Sequence, residues 1–574
     1  MATGARPFHG ATSAATFDAI LHKAPTAPIR LNPSLPDELE RIITKALEQS
    51  PFLRIVPEES VQAALRYMSR PSDQPVTKEI GREICERQGI KALLVPTIAR
   101  LGNQYVITLE AYNGQTGEVI ARQQAEADSK ERVRRTLGEA ASELRRKLGE
   151  SLPSIQKSSA PLEQVTTSSL EAWKAFCLGE EERRKGRTLE SIPFFLRATE
   201  LDPQFALAYA RLSLQYSNSF QVERSLEFGK KAYDLRDRVT ERERLFIEQR
   251  APGKWNEISE VLVQRYPGDW YAHNGLGISW RLRGEVEKAL VEFREALRLN
   301  PDHVSPYVNL GWTYLSLNRF KEAQEILDQG LARHLETTQM HGHLYDLAFI
   351  RGNDAAMTQQ LDWARGRPDE DEFVSRQART AAFAGHLRQA QVFSSRAIEL
   401  AQRGQKMTMA GQFARQSAIW NALSGDCGRA RTNASRALAL SRSSSLQGAA
   451  QALAVCGEYA EAEALAGELA KSSQSASAQA QEIRALIEIQ RGKPDEALEL
   501  LPSSSRTLSS AYSRGLAHLA VPAAAEAATD FQYILDRRGL AATDVLYPLA
   551  HLGLARVGAH GRDREEPHQL SGLH

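Results

Sequence analysis

Residues 270–301 read WYAHNGLGISWRLRGEVEKALVEFREALRLNP, and this stretch decides the fold. Small residues recur at Gly277, Ala289 and Ala296, large ones at Leu276, Trp280 and Phe293, and Pro301 closes the stretch. Ala289 and Ala296 are seven residues apart, two helical turns, so they share one face, and a neighbouring helix can approach that face only if the side chains are short. Gly277 admits a close crossing, the aromatics fill the space beside it, and Pro301 stops the second helix. The stretch predicts two short antiparallel helices joined at Arg283-Gly284.

The pattern repeats outward. Turn-like residues stand at Gly284, Asn318, Gly352, Gly385, Gly425, Gly457 and Gly492, spaced by 34, 34, 33, 40, 32 and 35. Upstream, Gly186 and Phe220 are again 34 apart, with a more degenerate unit between them and Gly284. Two short helices and two tight turns consume about 34 residues, so this period predicts stacked helix pairs. The 40-residue step implies a longer helix or loop around Gln402 to Gly411.

Leu276, Gly277, Trp280, Ala289, Phe293, Ala296 and Pro301 resemble the tetratricopeptide repeat position by position, with Trp280 where tyrosine is usual. The next unit repeats the pattern with Tyr307, Leu310, Gly311, Tyr314, Ala323 and Leu327, and an earlier one has Leu178, Gly179, Phe195, Ala198 and Pro203. After Gly352 the aromatic positions erode while the small ones persist. The resemblance implies a mainly α protein, a right-handed solenoid over residues 170–557, in which first helices line a groove for a partner's peptide or helix. The face opposite the small-residue seam puts Tyr271, Asn274, Arg281, Val308, Trp312, Asp346, Arg379 and Arg415 in that groove.

Residues 51–150 carry a different pattern. The apolar run Phe52 to Val56, read as a strand, precedes amphipathic stretches over Glu59–Met68 and Thr77–Gln88. Alternating runs then follow at Ala92–Ala99, Tyr105–Tyr112 and Glu118–Ala125. Gly102-Asn103 and Asn113 to Gly117 have hairpin-turn composition. A basic helix over Ser129–Leu148 closes the unit, its Arg and Lys residues read as a solvated face. This order resembles the small α/β domain at the amino terminus of TolB. Residues 151–169, rich in Ser, Thr and Pro, read as a linker, and 558–574 as a polar tail without a capping helix.

Residues 1–50 contain T-G-x-x-P-F (Thr3 to Phe8) and P-x-E-L-x-x-I-I-x-K-A-L (Pro36 to Leu47). These resemble the end of the large lobe of bacterial serine/threonine protein kinases that carry carboxy-terminal tetratricopeptide arrays. The glycine-rich loop, strand lysine, H-R-D and D-F-G motifs of such kinases are absent; Glu227-Phe228-Gly229 falls inside a repeat helix, where Phe228 is expected in the core. The resemblance implies a signalling relative cut off before its catalytic motifs.

Composition narrows the function. With 72 basic and 71 acidic residues the net charge is +1, which offers no global field for nucleic acid. No helix-turn-helix with a basic recognition helix is evident, which disfavours a sensor part of a transcriptional regulator. Cys85, Cys177, Cys427 and Cys456 lie far apart, so they read as buried small apolar residues rather than as a disulfide or zinc framework. No cofactor or metal motif stands out, and no apolar run is long enough to span a bilayer. The expectation is a cytoplasmic, non-catalytic scaffold binding a protein or peptide partner, with a kinase fragment as the alternative.

Overall fold

Each of the seven turn residues from Gly284 to Gly492 has a positive φ, between 58° and 84°. A chain leaving one helix and immediately starting an antiparallel one passes through the left-handed region, which glycine enters without strain and asparagine enters with little. Asn318, the one non-glycine among them, has φ 58°. The 34-residue spacing is therefore the spacing of left-handed helix ends.

A computed structural model describes residues 37–565, apart from 57, 72, 73, 75, 102, 103, 130, 131, 160–166, 168, 185–187, 220, 252, 253, 472, 473 and 504–506. The Thr3 to Phe8 motif, Pro36, the Gly102-Asn103 turn, Gly186 and Phe220 lie outside them. The chain forms two compact units, one ending at Asn309 and the other starting at Leu310.

The first unit opens with α1 (Asp37–Glu48), α2 (Glu58–Tyr67), α3 (Lys78–Gln88), β1 (Ala92–Leu101), β2 (Gln104–Asn113), β3 (Val119–Ala127), α4 (Val133–Lys147) and α5 (Leu152–Ser158). The sheet is an antiparallel meander, β1-β2-β3, with Ala92 opposite Asn113 and an irregularity at Ala111/Tyr112. Strand periodicity sends alternate residues to opposite faces. Leu93 and Val95 join Val61, Leu65, Ile80 and Ile84 of α2 and α3, while Leu94, Ile107 and Leu109 join Ile43 of α1 and Leu137 and Leu144 of α4. The three strands and the helices after Val56 match the expectation. Leu53 to Val56 form no strand: Leu53 and Ile55 instead pack as loop residues against the core on the α1/α4 face.

Two further expectations change. The stretch read as a linker begins with α5, and the basic helix α4 is not solvated throughout. Arg145, fully buried, donates from Nε and Nη2 to the two oxygens of Glu150, each at 2.8 Å, and to Ser158 and Ser159. Ser50 and Ser154 donate to the same carboxylate. A buried guanidinium needs this full set of acceptors, and the carboxylate its donors, to offset lost hydration.

Helix pairs follow in the first unit: α6 (Leu170–Arg184) with α7 (Thr188–Leu201), α8 (Ala206–Asn218) with α9 (Val222–Asp234), α10 (Glu241–Gln249) with α11 (Trp255–Arg265), and α12 (Trp270–Leu282) with α13 (Val286–Leu299). A 3-10 turn at Arg236–Arg238 and a Thr240/Glu243 capping box account for the degenerate third pair. Phe228 stacks on Tyr216 at 5.4 Å and Tyr209 at 6.2 Å, as a core residue should. The division between units falls within α14 (Val304–Ser316).

The second unit continues with α15 (Phe320–Ala332), α16 (Thr338–Ile350), α17 (Asp354–Ala364), α18 (Glu370–Phe383), α19 (Leu387–Arg403), α20 (Met407–Leu423), α21 (Cys427–Leu440), α22 (Arg442–Val455) and α23 (Tyr459–Ala470). It ends with α24 (Gln474–Gln490), α25 (Pro494–Leu500), α26 (Leu508–Ala520), α27 (Ala524–Leu535), α28 (Arg538–Ala541) and α29 (Leu546–Glu565). The 40-residue step is absorbed by α19 and α20, of 17 residues each. α29 runs on to Glu565, so the first residues of the stretch read as an unstructured polar tail are helical. Its Gly553 lies against Phe531 of α27, the closure a further helix gives to a stacked array.

The cysteines also depart from expectation. Cys427 and Cys456 form a disulfide with Cα atoms 5.4 Å apart, while Cys85 and Cys177 are buried and outside any disulfide. Twenty-nine residues separate the pair, but stacking places the start of α21 beside the end of α22. Sequence spacing conceals a proximity that the repeat period creates.

Candidate partner-binding surface

All eight groove candidates fall on first helices of their pairs, and none is fully exposed. In the first unit Tyr271 packs at a tilt on Phe246 at 5.6 Å and accepts a 2.8 Å hydrogen bond from Arg250. Asn274 is buried and accepts from Asn309 at 2.9 Å. Arg281 and Val308 are half-buried, and burial holds the Arg281 guanidinium below its usual value. In the second unit Trp312, Asp346, Arg379 and Arg415 are half-buried, and burial acts on Arg415 as on Arg281. Asp346 faces Arg376 at 3.7 Å. The Arg376 guanidinium lies over Gly342, and the Arg415 stem over Gly448. A long basic side chain thus crosses to the neighbouring first helix where a glycine leaves room.

The first-helix faces already hold other segments of the chain. In the first unit α1 lies against α6, and its Lys45 and Glu48 reach Glu243 at 4.0 Å and Arg242 at 3.4 Å. Arg242 also binds Asp269 at 2.6 Å. Arg211 meets Glu180 at 2.9 Å and stacks over Phe246 at 4.8 Å. Burial opposes ionisation of Glu180, but the charges of Arg183 and Arg211 outweigh it and hold its carboxyl down at about 2. Arg54 donates to the Leu299 carbonyl at the end of α13. Pro36 to Leu47, quoted above for its kinase-like pattern, thus supplies in its described part a helix wedged between α4 and the first repeats.

In the second unit the segment between α27 and α29 returns to α14, α16 and α18. Arg538 lies over the rings of Tyr547, Phe383 and Phe349 at 4.7, 5.2 and 5.7 Å. Val545 packs beside Ala378, Ala381 and Trp420. Sequence reading missed this return because nothing in Arg537-Arg538-Gly539 distinguishes it from an ordinary inter-helix turn. The one available signal was length: Asp536 to Val545 is more chain than a turn needs.

Among the described residues no group of three or more His, Cys, Asp and Glu side chains could hold a metal ion, and no helix is long and apolar enough to cross a membrane.

Residues 281–343 match the family model described as tetratricopeptide repeat. Superkiller protein 3 of Schizosaccharomyces pombe is 25% identical over 146 residues, 23% of this chain; the chain spans a tenth of that relative's length. Similar solved structures include Pseudomonas aeruginosa PilF, 18% identical over 35% of this chain and 96% of that one, with a TM-score of 0.24. YrrB, titled a TPR protein with an unusual peptide-binding site, is 18% identical over 29% and 88%, with a TM-score of 0.18. The human IFIT1 dimer with PPP-AAAA is 16% identical over 64% and 90%, with a TM-score of 0.33. No activity transfers at these values. The chain carries tetratricopeptide repeats within a mainly helical array that follows a small three-stranded α/β domain.

Proposed function

We propose that this protein is a non-catalytic scaffold whose first-helix faces bind an extended or helical segment of a partner protein. One observation carries the reading: in each unit first-helix residues already hold another segment of the same chain, Arg242 of α10 meeting Glu48 and the rings of Phe349 and Phe383 receiving Arg538. A surface that orders a backbone segment by such contacts is suited to receive one from another protein. Tyr271, Asn274, Arg281 and Val308 would serve in the first unit, and Trp312, Asp346, Arg379 and Arg415 in the second. The proposed partner is a protein rather than a nucleic acid, since a net charge of +1 offers no global field for phosphates, and the proposed location is the cytoplasm.

The test compares partners captured by the full chain with those captured by Arg281→Glu and Arg379→Glu, using Val392→Lys on an exposed second-helix position as control. Loss of the same partners from the two arginine variants, but not from the control, supports the reading. Unchanged lists in all three sink it.

The kinase-like motifs of residues 3–8 and 36–47 favour one other reading, a signalling kinase's tail separated from its catalytic part. It is tested by incubating this chain with labelled ATP and a generic acceptor, where a transfer abolished by unlabelled ATP would replace the scaffold reading.

A further inference from the structure

Between Leu535, the last residue of α27, and Leu546, the first of α29, ten residues do more than turn. Their anchor is Asn318, in the left-handed turn between α14 and α15. Its Nδ2 donates to the Asp536 carbonyl at 2.6 Å, and its Oδ1 accepts from Gly539 N at 2.8 Å. One side-chain amide thus reads two backbone groups of a segment more than two hundred residues away. Gly539 is buried so tightly that a Cβ there would collide with the Leu315 carbonyl, an atom of helix backbone that cannot yield. Arg538 next to it lies among Phe349, Phe383 and Tyr547, a cation held by ring faces, and it donates to the Ala542 carbonyl. Tyr547 in turn stacks on Phe383 at 6.0 Å.

Other features of the segment are poorly suited to a permanent core element. Thr543 is fully buried and its hydroxyl has no hydrogen-bond partner. Burial raises the Asp544 carboxyl, against a backbone hydrogen bond from Leu546 and the charge of Arg379. A dedicated core segment would carry apolar residues there, since each uncompensated polar group favours the undocked state. The docking is specific in geometry and imperfect in burial, as expected of a contact that opens.

We propose that residues 536–547 are a built-in ligand of the second unit. The face formed by α14, α16 and α18 recognises an Arg-Gly turn next to an aromatic residue, and a partner segment of that chemistry binds by displacing the strap. The proposal rests on the reading of first-helix faces as binding surfaces and adds the partner's chemistry and a self-occluded state.

The test uses the full chain and a fluorescent peptide of residues 536–547, DRRGLAATDVLY. Gly539→Ala drives the strap off by collision. Arg538→Ala takes the strap's cation away from the three rings and leaves the receiving face intact, which covers the case in which the first variant fails to fold. The peptide is expected to bind either variant at least tenfold more tightly than the unaltered chain, and an R538A peptide at least tenfold more weakly than its parent. Tryptic cleavage after Arg537 should accelerate in both variants. Equal peptide affinity for variant and unaltered chains, an R538A peptide that binds as well, or unchanged cleavage would each overturn the proposal. The capture experiment separates the two claims: if Arg379→Glu loses partners while the peptide fails, the surface stands and the built-in ligand falls. Peptide binding with no partner lost would mean the reverse.

Discussion

The ring of Phe293 occupies the space in which a side chain on Gly277 would begin: a Cβ on Gly277 would sit 2.5 Å from Cε1. The same relation, sixteen residues apart, recurs between Gly179 and Phe195, Gly311 and Leu327, and Gly515 and Phe531. Where the first helix has alanine instead, the later residue is usually smaller, as in Ala378 and Ser394, Ala418 and Ala434, and Ala450 and Ala466, all buried. The loss of aromatics after Gly352 is therefore a change of partners at constant packing, and it explains why the array continues through sequence that has lost its signature.

Gly277→Ala is expected to destabilise the α12–α13 pair by about 1–3 kcal/mol through overpacking, and Phe293→Ala by about 3–5 kcal/mol through the cavity it leaves. Combined, they imitate the Ala450 and Ala466 pair, so the double variant should lose at least about 1 kcal/mol less than the sum. Denaturant unfolding of the four chains measures the coupling, and strict additivity would contradict the packing rule.

Much of this was legible beforehand because it depends on local rules. Glycines at left-handed turns, alanines on a seam, and alternation in β1 to β3 each follow from two or three neighbouring residues. What was not legible depends on distant pairs: Cys427 with Cys456, Ser50 with Glu150, and Asn318 with Gly539. The eight groove candidates lie on first helices, but the periodicity gives no warning that other chain segments contact those helices. Leu53 and Ile55 were misread because a short apolar run satisfies a loop packed on a core as well as a strand.

His303 is a pH-sensitive joint of the first unit. Its ring packs against Trp270 at 4.1 Å with the planes tilted by 34°, and its Nδ1 accepts from Ser305 N at 3.2 Å at the start of α14, so it must be neutral to cap the helix. Burial and the charge of Arg183 push its pKa down to about 4. The unfolded chain, near 6.5, takes up the proton first, so this contribution is complete above about pH 6.5 and is lost as the pH falls towards about 4. His273 acts oppositely. Burial lowers its pKa, but Glu292 and the Pro267 carbonyl outweigh this and raise it, so its contribution is lost as the pH rises. His303→Asn keeps a capping acceptor without titrating. The stability difference between it and the parent should shift in favour of the variant between about pH 6.5 and 4, and a constant difference would contradict the assignment.

The Arg145–Glu150 clamp should respond strongly to loss of either partner. Glu150→Ala leaves a buried guanidinium uncompensated, at a cost of roughly 3–5 kcal/mol, read as lost hydrogen-exchange protection in α4 and the sheet. Burial works against the Glu150 carboxylate, but hydrogen bonds from Arg145, Ser50 and Ser154 outweigh it and lower its pKa. This contribution is therefore present above about pH 4.5 and lost as the pH falls through the folded value. Unchanged protection in the variant would show the clamp to be dispensable.

The Cys427–Cys456 bond closes a loop across α21 and α22. Its reduction should lower the stability of the second unit by about 2–4 kcal/mol, seen as a fall in its unfolding temperature with dithiothreitol. Cys427→Ser should show the lower value with or without reductant. Alkylation of the native, oxidised chain should spare Cys85, whose thiol burial pushes up to about 12. Rapid labelling of Cys427 in unreduced protein would contradict the bond.

We propose that partners are held on first helices. This is tested most directly by placing a photo-crosslinking amino acid at Arg281 or Arg379 on first helices, and at Val291 or Val392 on second helices, of the full chain. Partner adducts are expected from the first pair of positions and not from Val291 or Val392, which are exposed. Adducts arising only from the second-helix positions would contradict it.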